Sequence, residues 1–382
     1  MHGVKREKTS AQAKAARKAK EAARLEAYVA VEARFFELRD ADDHSEAALE
    51  QTTKLLSLNP EFFSVWNYRR SILSHLFEST QADAEADADG DKHAARIALL
   101  QDDLELTMHA LRAHPKVYWI WSHRTWCLDS LPDPKRDGSK WKKELKLVEH
   151  MLDLDPRNFH GWDYRRHLLV QLSLSLSSSP SSSSDPTPSL PATTTFPDIL
   201  PTPLLKQELA YTLRKIESNF SNFSAWHQRS RVLPALWARE QADAKQRAQQ
   251  RDEELELIRQ AMYTDPSDSS IWIYHRWLVS GELEDADADA DGGAQGRGEP
   301  VLDREIAGIE ELLEMEPDSK WCLDTVAHYK TLKRSRLLAG GGERSHDEQV
   351  GELTTGIRNL LARLQQVDPL RKARYQDWLE AL

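Results

Sequence analysis

The chain has 382 residues, with 51 Lys and Arg against 62 Asp and Glu, a formal net charge of −11, and 12 Trp. This acid excess, with no basic stripe inside the repeats, argues against a nucleic-acid binder. Only two Cys occur, Cys127 and Cys322, so no disulfide framework or Cys-based metal site is written, and a reducing, cytoplasmic setting is expected.

The first segment, residues 1–25, is basic: Lys5, Arg6, Lys8, Lys14, Arg17, Lys18, Lys20 and Arg24 lie in it without an apolar run. That is not a secretory signal, Met1-His2 is not a myristoylation start, and no later stretch has the apolar length of a membrane span. Residues 26–382 read as one helical-repeat domain. Within it a Pro, or an aromatic in its place, is followed six residues later by Trp and then within four by Arg. The copies are Pro60…Trp66…Arg69-Arg70, Pro115…Trp121…Arg124, Pro156…Trp162…Arg165-Arg166, Phe220…Trp226…Arg229 and Pro266…Trp272…Arg276. A degenerate sixth copy, Pro317…Trp321, has its Trp two residues closer. Self-similarity of this kind marks a stacked-repeat architecture.

Each copy decodes into two helices. Upstream of the Pro, apolar residues recur at helical spacing, as in Leu152 and Leu154 with Val148 before them. Pro cannot continue a helix, and it pushes its predecessor out of the helical region. The first helices are therefore expected to stop at Asn59, His114, Asp155, Asp265 and Glu316, and a second helix carries the Trp and the Arg. A residue type present in every copy reads first as scaffold: the Trp as a core wedge between helix pairs, the Arg as a fork onto helix-end carbonyls or a carboxylate of the neighbouring hairpin. Function belongs where one copy differs from the rest.

Four segments interrupt the repeats and read as mobile insertions: 80–92, 173–203, 284–300 and 339–347, each poor in surface to bury. They account for uneven Trp-to-Trp intervals of 55, 41, 64 and 46 residues. Two match the first half of a calcium loop, Glu85-Asp87-Asp89-Gly90 and Asp287-Asp289-Asp291-Gly292. The bidentate Glu at the twelfth position is replaced by Arg96 and Gly298, so solvated acidic loops are expected. A seventh first helix, Glu352–Asp368, leads through Pro369 into a short terminal helix holding Trp378, which reads as an end cap.

The Pro/Asn…Tyr/Phe…Trp…Arg repeat, from about Glu46 onward, resembles that of protein prenyltransferase α subunits. Several stretches resemble the Rab geranylgeranyltransferase (type II) branch more than the subunit shared by farnesyltransferase and type I geranylgeranyltransferase. They are Met1-His2-Gly3, Asn158 to Arg166, Phe220 to His227, Asp265-Pro266…Trp277, Glu316-Pro317…Leu323 and Val367-Asp368-Pro369. With neither a strand-rich insert nor a Leu/Asn repeat, the chain looks like the compact fungal form of that branch.

The resemblance implies an all-α fold, an alpha–alpha superhelix: a right-handed, crescent-shaped solenoid of helical hairpins wrapped around a β subunit that holds the catalytic zinc and the lipid pocket. It implies a protein geranylgeranyltransferase active only as a heterodimer. Geranylgeranyl passes from geranylgeranyl diphosphate to C-terminal cysteines of Rab GTPases presented by Rab escort protein. It places Lys116 and Tyr118 against the isoprenoid diphosphate, as a compact cation and a hydroxyl donor; only the second copy pairs Lys with Tyr. It places His160 near the substrate funnel. Val117 departs from the Asn common between the Lys and Tyr positions. His2, on a tail, is a candidate inhibitory ligand to the partner's zinc, which keeps one exchangeable site. No metal ligand set of Asp, Cys and His is legible in the chain itself. The competing readings are the α subunit of farnesyltransferase and type I geranylgeranyltransferase, and a helical-repeat scaffold without catalytic role.

Overall fold

The computed structural model describes residues 10–82, 89–132, 137–177, 196–289, 298–339 and 344–382. Among these residues all regular structure is helical. After α1 (Ala11–Asp40) come hairpins α2 (Glu46–Leu58) with α3 (Phe63–Ala82), α4 (Asp89–Ala113) with α5 (Tyr118–Ser130), and α6 (Ser139–Leu154) with α7 (Phe159–Ser177). Then follow α8 (Thr202–Ser218) with α9 (Phe223–Glu240), α10 (Ala244–Thr264) with α11 (Ser269–Asp289), and α12 (Gly298–Met315) with α13 (Lys320–Ala339). The chain closes on α14 (Arg344–Val367), a 3-10 turn at Pro369–Arg371 and α15 (Lys372–Glu380). It divides into two compact units, Met1–Ser181 and Ser182–Leu382. In the first, second helices stack on one another, α3 on α5 and α5 on α7, while each also packs on its own first helix. In the second, α9, α11 and α13 do the same. Each unit is thus an alpha–alpha superhelical stack.

The joints explain the repeat. In all six hairpins four residues separate the helices, 59–62, 114–117, 155–158, 219–222, 265–268 and 316–319. In each, the fourth residue's N–H donates to the first residue's carbonyl, over 3.0–3.3 Å, which closes a β-turn. Pro at the second place of that turn is pre-set at the required φ, and Asn or Asp suits the first place. Phe220 stands where the other copies have Pro, yet Asn219 still adopts the extended backbone (φ −160°, ψ 100°). Its Oδ1 accepts from Ser221 N at 3.0 Å, an Asx turn that makes the bend without proline.

The six-residue interval to Trp has an equally direct cause. The indole Nε1–H of Trp66, Trp121, Trp162, Trp226 and Trp272 donates to the carbonyl six residues earlier, at 2.7–2.9 Å. The acceptor is a backbone carbonyl, so Phe220 serves as well as Pro. All five indoles are buried, as a core wedge should be. In the degenerate copy Leu323 occupies the buried place, and Trp321 is half-buried beneath Arg371, 5.8 Å from its ring.

In hairpins 1, 2 and 4 the Arg three residues after the Trp ties the hairpin to the next, whereas Arg165 of hairpin 3 pairs with Glu149 of its own first helix. Arg69 forks onto Asp103 (2.7 and 2.9 Å), Arg124 onto Glu144 (2.6 and 2.9 Å) and Arg229 onto Glu254 (2.7 and 2.5 Å). The remaining Nη1 reaches Leu49 O, Leu104 O and Leu209 O, and the hydroxyl of the Thr three residues after each Leu. These carbonyls lie within the first helices, not at their ends as the sequence suggested. A Thr that bonds back to the same carbonyl holds each one open to a further donor. Hairpin five substitutes His275, whose Nε2 meets Glu305 Oε2 at 2.9 Å and whose Nδ1 meets Tyr329 OH at 2.8 Å.

Several expected boundaries move. Helix α1 crosses residue 25 unbroken. Helices enter all four expected insertions: α3 reaches Ala82, α4 begins at Asp89, α7 reaches Ser177, α11 reaches Asp289, α12 begins at Gly298, and α14 begins at Arg344 rather than Glu352. Asp89, Gly90, Asp287 and Asp289 are therefore helical, not calcium-loop backbone; residues 85, 87, 291 and 292 lie outside the described residues, as does His2. The cap is real. Ile357, Leu361, Leu364 and Tyr375 form a buried cluster with Leu323 and Ala327, against which Trp378 packs.

Candidate functional site

Lys116 is the third residue of the joint in hairpin 2, and Tyr118 is the first residue of α5. The turn projects both outward: the Lys116 side chain is 73% exposed and Tyr118 53%. His160, the second residue of α7, comes from the neighbouring joint. Its ring lies 6.1 Å from that of Tyr118 and beside the Lys116 backbone, which favours its protonated form. The structure thus brings together all three of the residues that the resemblance singled out and that it describes.

Burial lowers the His160 pKa below its ordinary value, only partly offset by the Lys116 carbonyl. The ring is neutral near pH 7 and does not compete with Lys116 as a cation. Lys116 Nζ lies 3.4 Å from Asp155 Oδ2, at the C-cap of α6. Aromatic rings cluster about Tyr118 and His160: Trp119 lies 5.1 Å from Tyr118 and 5.5 Å from Phe63, and Phe159 lies 3.9 Å from His160. Phe63 and Phe159 start their helices as Tyr118 starts its own, and both are more than half exposed. Exposed rings at three neighbouring turns, with an exposed Lys in the middle one, suit a ligand with an apolar body and an anionic head, or a partner surface bringing one. Tyr164, Arg165 and Arg166 take scaffold roles: Tyr164 OH donates to buried Glu144, Arg165 pairs with Glu149 and Arg166 with Asp163.

The expectation that the chain brings no Asp, Cys and His together is corrected. Asp103, His123 and Cys127 place one ligand atom each within 4.8 Å of one another, all buried. The sequence hid this because Asp103 lies on α4 and the other two on α5. Yet the donors are already spent. Both Asp103 oxygens accept from Arg69, His123 Nε2–H donates to Asp103 Oδ1 at 2.7 Å, and His123 Nδ1 accepts from Arg70 Nε at 3.3 Å. Burial would raise Asp103, but its bonds to His123 and Arg69 outweigh that and hold it below the ordinary carboxylate value. Burial pushes the Cys127 thiol far up, away from thiolate. Two guanidiniums beside the cluster oppose a cation, so the site reads as a hairpin stitch.

The carboxylate of the neighbouring hairpin was expected for the repeat arginines, but Asp103, Glu144 and Glu254 were not singled out, and the Leu-x-x-Thr brace on α2, α4 and α8 was missed. The brace is periodic: Leu49, Leu104 and Leu209 each precede their Arg by 20 residues. No helix among the described residues is long and apolar enough to cross a membrane.

The protein prenyltransferase alpha subunit repeat matches residues 45–76, 100–131, 141–172, 205–236 and 251–281. The geranylgeranyl transferase type-2 subunit alpha of Candida albicans is 32% identical over 400 residues, covering 99% of this chain and 97% of that protein. Its counterpart in Schizosaccharomyces pombe is 34% identical over 388 residues, covering 100% and 98%. In Rattus norvegicus the match is 35% over 281 residues, 73% of this chain but 42% of the relative. A solved structure, the Candida albicans protein geranylgeranyltransferase-I complexed with GGPP, aligns with a TM-score of 0.57 at 18% identity, over 93% of this chain and 90% of that one, and so shares the fold. With relatives this similar along its full length and the repeat in five hairpins, the chain belongs to the family of geranylgeranyl transferase type-2 α subunits.

Proposed function

We propose that this chain is the α subunit of a Rab geranylgeranyltransferase, working in the cytoplasm with a β subunit and inactive without it. The heterodimer transfers geranylgeranyl from geranylgeranyl diphosphate to C-terminal cysteines of Rab GTPases presented by Rab escort protein. The observation that carries the reading is the cluster of exposed Lys116 and Tyr118 with half-buried His160, in a chain whose full-length relatives bear the type-2 name. The Rab cysteine would react as a thiolate, its proton lost to solvent, which coordination to a zinc held by the β subunit would favour. The sulfur forms a bond to C1 of the prenyl chain as the C1–O bond breaks, and the electron pair leaves with diphosphate. Lys116 Nζ sets a compact charge toward that leaving group, and the Tyr118 hydroxyl donates a hydrogen bond to it. Neutral His160 flanks the Tyr118 ring. The exposed aromatic row faces the β subunit and the lipid.

The test is co-expression with a type-2 β subunit and assay on a Rab substrate with and without escort protein. Lys116→Ala in the purified heterodimer is expected to lose roughly one to three kcal/mol of transition-state stabilisation. Escort-independent transfer to a short CaaX peptide would favour the farnesyltransferase and type I reading. Unchanged transfer by Lys116→Ala would reduce the chain to scaffold.

A further inference from the structure

Asn158 reaches across from hairpin 3 to hairpin 2. It is 4% exposed, and its Oδ1 caps α7, accepting from His160 N at 3.1 Å and Gly161 N at 3.3 Å. Its Nδ2 donates to the Pro115 carbonyl at 2.9 Å. That carbonyl is the one that also receives the Trp121 indole, again at 2.9 Å. The residues at the same place in hairpins 1 and 2 are Phe62 and Val117, which have no polar side-chain atom. Within the first unit, then, this bond belongs to hairpin 3, and it lands on the residue before Lys116. Two neighbours flank the same segment: Asp155 at Lys116 Nζ, and His160 beside the Tyr118 ring.

We propose that Asn158 is the positioning residue for Lys116 and Tyr118. The peptide unit is planar, so fixing the Pro115 carbonyl fixes the plane that carries the Lys116 nitrogen. That sets the direction in which the Lys116 side chain leaves the turn, and the entry into α5, where Tyr118 is the first residue. Hairpin 3 thereby aims a cation that hairpin 2 supplies. This inference rests on the assignment of Lys116 to the departing diphosphate, and it adds a residue that touches neither substrate nor partner zinc.

Asn158→Ser separates aiming from folding. Serine is as good an N-cap as asparagine; it stays neutral, and it is too short to reach Pro115. In the purified heterodimer its thermal midpoint is expected within about 2 °C of the parent. Its single-turnover rate at saturating geranylgeranyl diphosphate is expected to fall roughly five- to twenty-fold, since a displacement of about 1 Å can cost up to ~100-fold. Donor affinity is expected to change less than two-fold. In a Lys116→Ala/Tyr118→Phe background the same substitution is expected to change the rate less than two-fold, because neither group remains to be aimed. Equal losses in both backgrounds, or no loss in the parent, overturn the proposal and leave the function intact. If Lys116→Ala itself is without effect, the site assignment fails and this inference falls with it.

Discussion

Arg124→Ala tests the stitch that joins hairpins 2 and 3. The guanidinium gives Glu144 two bonds, 2.6 and 2.9 Å, with the two side chains 4% and 7% exposed. Truncation leaves a buried carboxylate with only the Tyr164 hydroxyl, 2.9 Å away, among these donors, and removes the donor from Leu104 O and Thr107 Oγ1. Unit charges about 4 Å apart at an effective dielectric near 20 interact by ~4 kcal/mol. Breaking one side of a buried pair costs about 3–5 kcal/mol in practice. Unfolding free energy should therefore fall by about 4 kcal/mol, read by urea denaturation with far-UV circular dichroism. Replacing both partners, Arg124→Met with Glu144→Leu, should cost less than ~2 kcal/mol, because no uncompensated charge stays buried. Arg363→Ala, on an exposed pair with Asp318, should cost under ~1 kcal/mol. A loss below ~1 kcal/mol for Arg124→Ala, or a double variant as unstable as the single, would refute the view that the hairpins are held by compensated buried charge.

Two further outcomes follow from the same frame. Asn219→Ala should cost about 1 kcal/mol, the net worth of its Asx bond to Ser221 N; adding Phe220→Pro should recover part of it by restoring a fixed φ, and a further loss instead would contradict the turn assignment. Burial, with Arg70 facing Nδ1, depresses the His123 pKa below its ordinary 6.5, so the unfolded chain binds a proton the native chain does not. Stability should then decline as pH falls below about 6.5, with a slope of at most ~1.4 kcal/mol per pH unit from this group. His123→Asn should flatten that decline between pH 6.5 and 5 in equilibrium denaturation.

The hairpins were legible because their signals are local. Pro at the second place of a four-residue turn and an indole six residues on are both settled within one copy. Copy four shows what the pattern encodes: a carbonyl and an Asx turn, which Phe220 and Asn219 supply without proline. The acid partners were not legible, because Asp103 stands 34 residues from Arg69 and the intervals vary with the insertions. Helix ends inside Asp/Ala-rich tracts were missed since acidic, small residues mark solvated helix as readily as loop. The candidate site was legible only in part. Residues alone showed that one copy pairs Lys with Tyr, while the family resemblance gave that pair a role and added His160. That Asn158 ties Pro115 down from the next hairpin depends on a contact across 43 residues, which no spacing announced.

Within each hairpin the two helices are always joined by four residues, whereas the links from one hairpin to the next run from three residues, 241–243, to the long tract between Ser177 and Thr202. The two ends of a hairpin are therefore under different evolutionary freedom. Sequence can be gained or lost at the outgoing end without shifting any turn that presents Lys116, Tyr118 or His160. The chain can thus lengthen at the outgoing ends while the four-residue turns keep their geometry.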